Sequence, residues 1–574
     1  MNPTLSVHQP AGDPFTEEII WSSLAAIGDE MFTVLRKTAM SAIIYEVLDM
    51  GTGITDANGQ LAASGCGIPG FIAIVDKAVR HLVAGRGVDS IRPGDMFITN
   101  DPYAGGVTHL NDVALLLPVF AEGRLVAWVG NIAHWSDVGG MTPGSMATGA
   151  TDIFSEGVRV PAVKLFDGGR PIESVFEILK ANSRLPDTLE GDLWAGIAAA
   201  RVGEQRIQEL AAKYGTETML AALDGYQHHG EQRSLAGLEN APKGRHVIEE
   251  RQESGDLWRA TVDISDESFI VDLRDNPAQS PGPYNLSRDG AVIAAQMLFK
   301  AVTDPSSVCN GGSLRPLQVL TRPGSIFDPA PPAAHGFYFE TRIRLHDLLW
   351  RCLAPQMPDR LGAGGFASIC ATVLGGAHPD TGRPFTIVEP QIGGWGAQPD
   401  RDGVNAMFSG VHGETYNCPV EISEARHGLI VDRLQLNEEP GGEGQHRGGR
   451  GIVVDYRIRT DDVSLTAGFS RSTIPPWGMN GGADGSPNYV EIRRADGGVE
   501  RHALITGARL FPGDVVRIVT GNGGGYGDPT ARDHHEVEAD LRSGLLSPEV
   551  AASVYGVGPD ARFQDKDRPR PVRP

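Results

Sequence analysis

The sequence has few cysteines and lacks the patterns that cysteine-based sites need. Its five cysteines, an odd number among 574 residues, are widely spaced, and no two of them form a C-x-x-C pair. This argues against a disulfide framework and against a cysteine-rich zinc site. Cys66, between two glycines in a predicted loop, has the most unusual surroundings, but nothing in the sequence marks it as reactive. We therefore expect a protein of a reducing compartment.

Basic clusters and long apolar runs are also missing. The formal net charge is −22, and no long Lys/Arg cluster offers phosphates a basic face, which argues against a nucleic-acid partner. No apolar stretch reaches the roughly 18 residues of a membrane span. Residues 1–14 lack the basic and apolar segments of a secretion signal. We expect a soluble, cytoplasmic protein that has no membrane as a partner.

Motifs for nucleotides and for activated serines are absent as well. Glycine-rich segments occur at 393–396, 441–451 and 521–527, but none contains the G-K-[ST] of a P-loop. Turns that require a positive φ explain these glycines more simply. The chain also has no G-x-S-x-G elbow. From its residues alone, no ATP site can be argued.

The composition is that of a globular protein, with 41% hydrophobic and 21% charged residues. The length exceeds the roughly 250–300 residues that one core serves. We predict an α+β, multi-domain protein with a mixed helical/β N-terminal half and a β-rich C-terminal half. The predicted regions are an N-terminal α+β metal-binding region (1–245), a central α/β region (246–440), a β-rich region (441–560) and a loose tail (561–574).

Apolar periodicity predicts helices in both halves of the chain. The first covers residues 13–40, where Asp13 is the expected N-cap before Pro14. Further helices are predicted over about 70–84, within 187–236 and near 290–304. After about residue 245, short segments rich in β-branched residues dominate. One of them, FYFETRIRL at 337–345, is predicted to be a strand.

Two hairpins are predicted near the N-terminus. The run IIYEVLD reads as a strand that ends near Asp49, and the turn 56–59, with its Asn-Gly pair, joins the strands that follow. The second hairpin turns at Glu122-Gly123, between the apolar runs 109–120 and 124–135.

The second hairpin places metal-type ligands at one open end. His109 and Asp112 lie at the start of its first strand, and His134 lies at the end of its second. Imidazole and carboxylate groups together suit Zn²⁺, Mn²⁺ or Fe²⁺. An ion with an open position could polarise a carbonyl or lower the pKa of a bound water. Spacing alone does not separate this reading from turn-forming or capping residues, because the compact H-E-x-x-H pattern is missing.

Five segments carry a resemblance to a known family. They are SAIIYEVLD with GITD (41–56), GDMFITNDPYAGGVTHLND (94–112), GNIAHWSDVGG (130–140), NSRLP with GDL (182–193) and GGGYGDP (523–529). Through them the chain resembles the hydantoinase B/5-oxoprolinase family, which includes N-methylhydantoinase B, lactamase B subunits and acetone carboxylase alpha-like proteins. The matches extend over almost the whole chain, and the block from 94 to 140 is long and specific.

The resemblance implies a set of metal ligands. The family uses a His, an Asp three residues later, a His twenty-two residues after that, and an upstream Asp. In this sequence these positions are His109, Asp112, His134 and Asp49, where the match for Asp49 is the shortest. The resemblance thus implies that these four residues are catalytic and hold a divalent metal, Zn or Mn.

The resemblance also implies a partner and a reaction. Family members pair with a hydantoinase A-type subunit, an ATPase of the actin/hexokinase-like kind, and we expect a heterotetramer with ATP and Mg in that partner. The partner phosphorylates the substrate, and the B-type chain completes hydrolysis of a small cyclic amide such as a hydantoin, 5-oxoproline or a lactam. The alternative is a subunit of an ATP-dependent ketone carboxylase, which would use bicarbonate. A non-enzymatic scaffold for the ATPase is a third possibility.

Several polar residues beside these ligands are candidates for supporting roles. Asn111 and Asp137 are assigned to orient imidazole N–H groups or a water. Asn100, Asp101 and Tyr103 lie in the loop that leads to His109 and are assigned to shape the pocket. Loop-forming hydrogen bonds would explain all five residues equally well.

Overall fold

The computed structural model of the protein describes residues 13–413 and 415–558, and this part of the chain is a multi-domain α+β structure. Its eleven α-helices are α1 (Pro14–Thr38), α2 (Ala42–Tyr45), α3 (Pro69–Arg86), α4 (Glu173–Ala181), α5 (Pro186–Tyr214), α6 (Thr216–Glu239), α7 (Arg288–Thr303), α8 (Tyr338–Leu353), α9 (Val420–His427), α10 (His534–Ser543) and α11 (Pro548–Ser553). In the same described residues, no helix combines the length and apolar character that crossing a membrane requires.

The strands are numbered along the chain. The first eleven are β1 (Met50–Asp56), β2 (Leu61–Gly67), β3 (Met96–Thr99), β4 (Asp112–Ala121), β5 (Arg124–His134), β6 (Val163–Asp167), β7 (Arg170–Pro171), β8 (Gly244–Arg251), β9 (Leu257–Ile264), β10 (Phe269–Asp272) and β11 (Leu317–Leu320). The remaining nine are β12 (Ala371–Ala377), β13 (Pro384–Glu389), β14 (Ile430–Leu436), β15 (Ile452–Arg457), β16 (Val463–Gly468), β17 (Tyr489–Arg493), β18 (Val499–His502), β19 (Leu504–Leu510) and β20 (Val515–Val519).

These strands form four sheets in the described residues. Sheet I has the order β2-β1-β5-β4-β3-β6-β7, and sheet II has the order β11-β10-β9-β8. Sheet III has the order β13-β12-β16-β19, and sheet IV has the order β14-β15-β20-β17-β18. Sheets III and IV each join strands from both sides of residue 440. The predicted boundaries at 245 and 440 remain a prediction, and the predicted tail at 561–574 lies outside the described residues.

Sheet I carries helices on both faces, which explains its nearly continuous apolar strands. Leu115, Leu117 and Val129 point into the core shared with α1 and α5. Leu116 and Trp128 point to the opposite face, into a core formed with α3. A strand that is buried on both faces has no polar side, so its residues do not alternate between polar and apolar.

The hairpins and most helices agree with the sequence predictions. β1 and β2 pair antiparallel, and β4 and β5 pair antiparallel around the Glu122-Gly123 turn, where both residues have a positive φ. α1 begins at Pro14 with Asp13 at the N-cap position, although the Asp13 side chain makes no capping bond. The block 187–236 forms α5 and α6, separated at Gly215.

Three local predictions are wrong. Residues 42–45 form the short helix α2, so Asp49 directly precedes β1 instead of ending a strand. FYFETRIRL lies mainly in α8 and not in a strand. Cys66 lies on β2 and not in a loop. In the first two cases helices take up runs of apolar residues that also fit a strand, because tertiary contacts override local preference.

Candidate functional site

The topology of sheet I brings the predicted ligands to one edge. Asp112 is the first residue of β4, His134 is the last residue of β5, and the two are directly opposite in the antiparallel register. Asp49 precedes β1, which pairs with the other side of β5, and its carbonyl accepts the His134 backbone N–H at 3.0 Å. His109 lies in the turn before β4, where its carbonyl accepts the Asp112 N–H at 3.1 Å.

Three ligand-type atoms converge at this edge. His109 Nε2 lies 3.0 Å from Asp112 Oδ1 and 3.3 Å from His134 Nδ1, and His134 Nδ1 lies 3.3 Å from the same carboxylate oxygen. These separations fit neighbouring ligands of one ion with bonds of about 2.0–2.2 Å. All three side chains are buried. They are thus a group that could hold a metal ion.

Asp49 stands beside this group at a slightly greater distance. Its Oδ2 lies 3.9 Å from His134 Nδ1, and its Oδ1 is buried without a hydrogen-bond partner. Burial raises the pKa of Asp49 to about 7, although the nearby His134 acts in the opposite direction. The carboxyl of Asp112 behaves differently. Burial raises its pKa, but the neighbouring His109 and His134 outweigh burial and leave the pKa well below its ordinary value.

Backbone and hydroxyl groups fix the orientation of two of these ligands. His109 Nδ1 lies 3.1 Å from the Gly336 carbonyl, which can only accept, so Nδ1 carries the proton and Nε2 is left free for an ion. Asp112 Oδ2 accepts hydrogen bonds from the hydroxyls of Thr108 and Tyr338, the latter at 2.8 Å. The other oxygen, Oδ1, therefore faces the two imidazoles. This donor set and the unpartnered Asp49 oxygen fit a divalent metal.

A buried acid supports the Gly336 peptide from behind. The Glu156 carboxyl accepts the backbone N–H groups of His335 and Gly336, the latter at 2.5 Å. Burial raises the pKa of Glu156 to about 8, and the Asp152 charge adds to the rise, against these two backbone bonds. Glu156 thus holds the backbone N–H of Gly336, the residue whose carbonyl orients His109.

The ligands border a small internal cavity of about 30 Å³. Its other walls are mostly apolar and come from α3, α8, sheet III and adjoining loops, and they include Phe71, Phe339, Val388 and His412. His412 is buried, which lowers its pKa to about 3, and the charge of Arg342 adds to this effect. This volume is enough for an ion and a water at the ligands.

The predicted supporting residues contact mainly backbone. Asn111 donates to the carbonyls of Trp135 and Gly144, at 2.8 Å and 3.1 Å. Asp137 accepts N–H groups of Gly139, Gly144 and Arg184. In the described residues neither side chain hydrogen-bonds to His109 or His134, and the carbonyl that orients His109 belongs to Gly336. The assigned roles of Asn111 and Asp137 remain predictions.

The loop residues before His109 make similar contacts. Asn100 bridges the Leu110 carbonyl and the segment around Val160, and Asp101 accepts the Tyr103 N–H at 3.0 Å. The Tyr103 hydroxyl bonds to the Ala333 carbonyl, and its ring meets His335 edge-on at 5.0 Å. Through Ala333 and His335 it contacts the segment that precedes Gly336. Its predicted part in shaping the pocket remains a prediction.

The sequence predictions missed several residues at the site. Thr108 stands inside the recognised THLND segment and could have been proposed as a hydroxyl donor. Tyr338 was hidden because its segment was predicted to be a strand. Glu156, Gly336 and Arg342 carry no local signal, since only the tertiary fold brings them to the sheet edge.

Comparisons with known proteins agree with the resemblance. A family model described as hydantoinase B/oxoprolinase matches residues 13–529. The chain is 29% identical to the putative B subunit of a D-/L-hydantoinase from a Pseudomonas species, over 95% of each chain. A crystal structure of the ATP-dependent caprolactamase from Pseudomonas jessenii superimposes with a TM-score of 0.89 at 26% identity, covering 97% of this chain and 98% of that one.

A solved structure of a ketone-converting enzyme also shares the fold. Nucleotide-free acetone carboxylase superimposes with a TM-score of 0.87, covering 95% of this chain and 80% of that chain. At 19% identity this likeness concerns the fold alone.

Proposed function

Because the chain belongs to the hydantoinase B/oxoprolinase family, we propose that it is the metal-binding catalytic B-type subunit of an ATP-dependent cyclic amide hydrolase. The observation that carries this proposal is the convergence of His109 Nε2, Asp112 Oδ1 and His134 Nδ1 at a buried sheet edge. The hydantoinase and caprolactamase relatives supply the reaction class.

The metal would be held by His109, Asp112 and His134, with Asp49 as a further ligand. A mixed imidazole and carboxylate set suits Zn²⁺ or Mn²⁺. Such an ion would act as a Lewis acid on the substrate and on a water near neutral pH. The chain's own residues keep the ligands in place. Thr108 and Tyr338 hold one Asp112 oxygen, and the Gly336 carbonyl keeps the proton of His109 away from the ligand atom.

The enclosure of the site suits a labile substrate. The side chains that line the ligand cavity are all buried, so bulk water has little access to it. A larger cavity of about 290 Å³ lies beside it. In three segments, one residue lines the smaller cavity and a nearby residue lines the larger one. These pairs are Phe339 and Ile343, Ile369 and Ala367, and His412 and Val411. The larger cavity, with its tryptophan and phenylalanine walls, is the place we assign to a small ring.

A partner chain is part of the proposal. The sequence contains no P-loop pattern, and the hydantoinase relative is itself named as one subunit of its enzyme. We propose a hydantoinase A-type ATPase subunit as the partner, holding ATP and Mg, in a heterotetramer. The partner would activate the amide, and this chain would complete the ring opening.

The test uses the complex of this chain with its A-type partner. Loss of hydantoin, 5-oxoproline and caprolactam would be followed by mass spectrometry, with and without ATP and with and without bicarbonate. ATP-dependent ring opening without bicarbonate is the expected result. Acetone or acetophenone would be supplied in parallel, and a product heavier by one carboxyl group, formed only with bicarbonate, would overturn the hydrolase and support the ketone carboxylase. A purified complex without metal or turnover would support the scaffold.

A further inference from the structure

Arg342, on α8, is buried in an unusual way. Its side chain has no exposed surface, and none of its three guanidinium nitrogens has a hydrogen-bond partner among the described residues. The other arginines deep in this region are paired, since Arg344 and Arg471 both bond to Glu250 and Asp347. A buried guanidinium without a partner anion lowers the stability of the folded state. Packing alone does not explain why Arg342 is retained there.

Arg342 lies next to Tyr338, which lines the metal-ligand cavity. Its guanidinium lies 5.2 Å from the ring centre of Tyr338, whose hydroxyl bonds to Asp112. The Arg342 charge acts electrostatically on Asp49, Tyr338 and His412. These three side chains line the cavity. The positive charge therefore acts on the space beside the ligands.

A second source of positive potential meets the guanidinium. A Cβ atom on Gly70 would collide with the Arg342 guanidinium, so this group lies against the first turn of α3. The N-terminus of an 18-residue helix carries a partial positive charge. Asp49 does not form an ion pair with Arg342 in the described residues, and the buried His412 Nδ1 also lacks a partner. The Arg342 guanidinium, the N-terminus of α3 and the His412 imidazole, which are all suited to binding an anion, thus lie close to one another. No carboxylate among the described residues pairs with Arg342.

The net charge of the metal-loaded site also favours an anion next to Arg342. A divalent ion would be balanced by the carboxylates of Asp49 and Asp112, and the two imidazoles are neutral when they serve as ligands. The guanidinium then leaves one positive charge in an enclosed, largely apolar space. A negatively charged ligand would remove it.

We propose that Arg342 is the recognition residue for an oxyanion, a phosphoryl or carboxylate group carried by the substrate, that binds beside the metal ligands. This rests on the proposed function, because it assigns that anion to the substrate of the same site. The planar guanidinium fork matches both kinds of oxyanion with two parallel hydrogen bonds. Arg342 is then a positioning and specificity residue.

The test measures binding of inorganic phosphate and of acetate to the metal-loaded complex by isothermal titration calorimetry. Arg342→Met, which has no hydrogen-bonding group, should bind phosphate at least tenfold more weakly with unchanged metal content. Arg342→Lys should retain part of the affinity because it keeps the charge. Gly70→Ala should also weaken binding, since its methyl group displaces the guanidinium. Arg383→Met, at an exposed arginine that does not line the ligand cavity, is the matched control and should bind as the wild type does.

Comparison of phosphate with acetate shows which kind of oxyanion the site recognises. Binding of phosphate but not acetate would assign a phosphoryl group, and comparable binding of acetate would assign a carboxylate. Thermal unfolding separates recognition from structure, because replacing an unpaired buried charge should not lower the melting temperature. No phosphate or acetate binding by the wild type, or equal binding by Arg342→Met, would overturn the proposal. Arg342-dependent binding in a complex that opens no ring would leave the anion site standing and refute the proposed function.

Discussion

The Tyr338 hydroxyl donates a 2.8 Å hydrogen bond to Oδ2 of Asp112, a residue 226 positions earlier in the chain. Thr108 bonds to the same oxygen, so the second carboxylate oxygen faces His109 and His134. Helix α8 thus contributes to a ligand set that otherwise belongs to sheet I and the segments flanking its strands. Metal affinity and the packing of α8 against this edge should therefore depend on each other.

Replacing Tyr338 by Phe tests this link. The change removes one hydroxyl and keeps the ring against His109. Outer contacts of this kind are worth roughly 10–100-fold in metal affinity, so we expect a loss within that range, measured by competition with a chelating dye. Tyr489→Phe is the control, because its hydroxyl bonds to Glu439 and not to a ligand. Equal affinity in Tyr338→Phe and wild type would contradict this arrangement.

His109→Ala and His134→Ala test the ligands themselves. Each removes an imidazole nitrogen from the group of three converging atoms. We expect purified complexes without bound metal and a turnover at least about 100-fold lower, since losing a ligand exceeds losing an outer contact. Metal content would be measured by mass spectrometry and the fold by circular dichroism. A metal-free His109→Ala complex with full activity would rule out the proposed role.

Asp49→Asn tests whether Asp49 is a fourth metal ligand or only an acid close to the other three. Asp49 lies farther from the group, at 3.9 Å from His134 Nδ1. The substitution preserves the size of the side chain and removes its charge. If Asp49 completes the ligand set, metal affinity should fall by at least about tenfold, while the three remaining ligands still bind the ion. Affinity unchanged from wild type in the dye competition would leave only three ligands.

The sequence allowed the sheet I part of the site to be predicted, because local signals determine it. The Glu122-Gly123 turn sets the register of β4 against β5, and that register alone places Asp112 opposite His134. The positions of Asp112 and His134 in the sequence therefore correctly predicted that they lie at the same end of the hairpin. The environment of Asp49 was harder to predict, because an apolar run that fits a strand forms α2.

The contribution of α8 could not be predicted from its sequence. Glu340, Arg342 and Arg344 are all buried in this helix together with its apolar residues, so no polar face reveals a helical period. The partners of Glu340 and Arg344, which include Ser368 and Glu250, come from distant segments. A short stretch with polar residues at every other position then looks like a half-buried strand.

Glu156→Gln tests the acid behind Gly336 through its pH dependence. Burial raises the pKa of Glu156 from 4.5 to about 8. Between these values the folded chain keeps a proton that the unfolded chain has lost, so this residue's contribution to stability falls as pH rises. The slope is at most about 1.4 kcal/mol per pH unit, and the contribution is constant below pH 4.5 and above pH 8.

The neutral amide that Glu156→Gln introduces can still accept the His335 and Gly336 N–H groups, and it does not titrate. The melting temperature of the variant relative to wild type should therefore increase steadily from pH 5.5 to pH 8. Other titrating groups are common to both proteins and cancel in the difference. Because Gly336 orients His109, metal content should stay near that of wild type when the bonds persist. A constant difference in melting temperature over this range would show that Glu156 does not carry the extra proton.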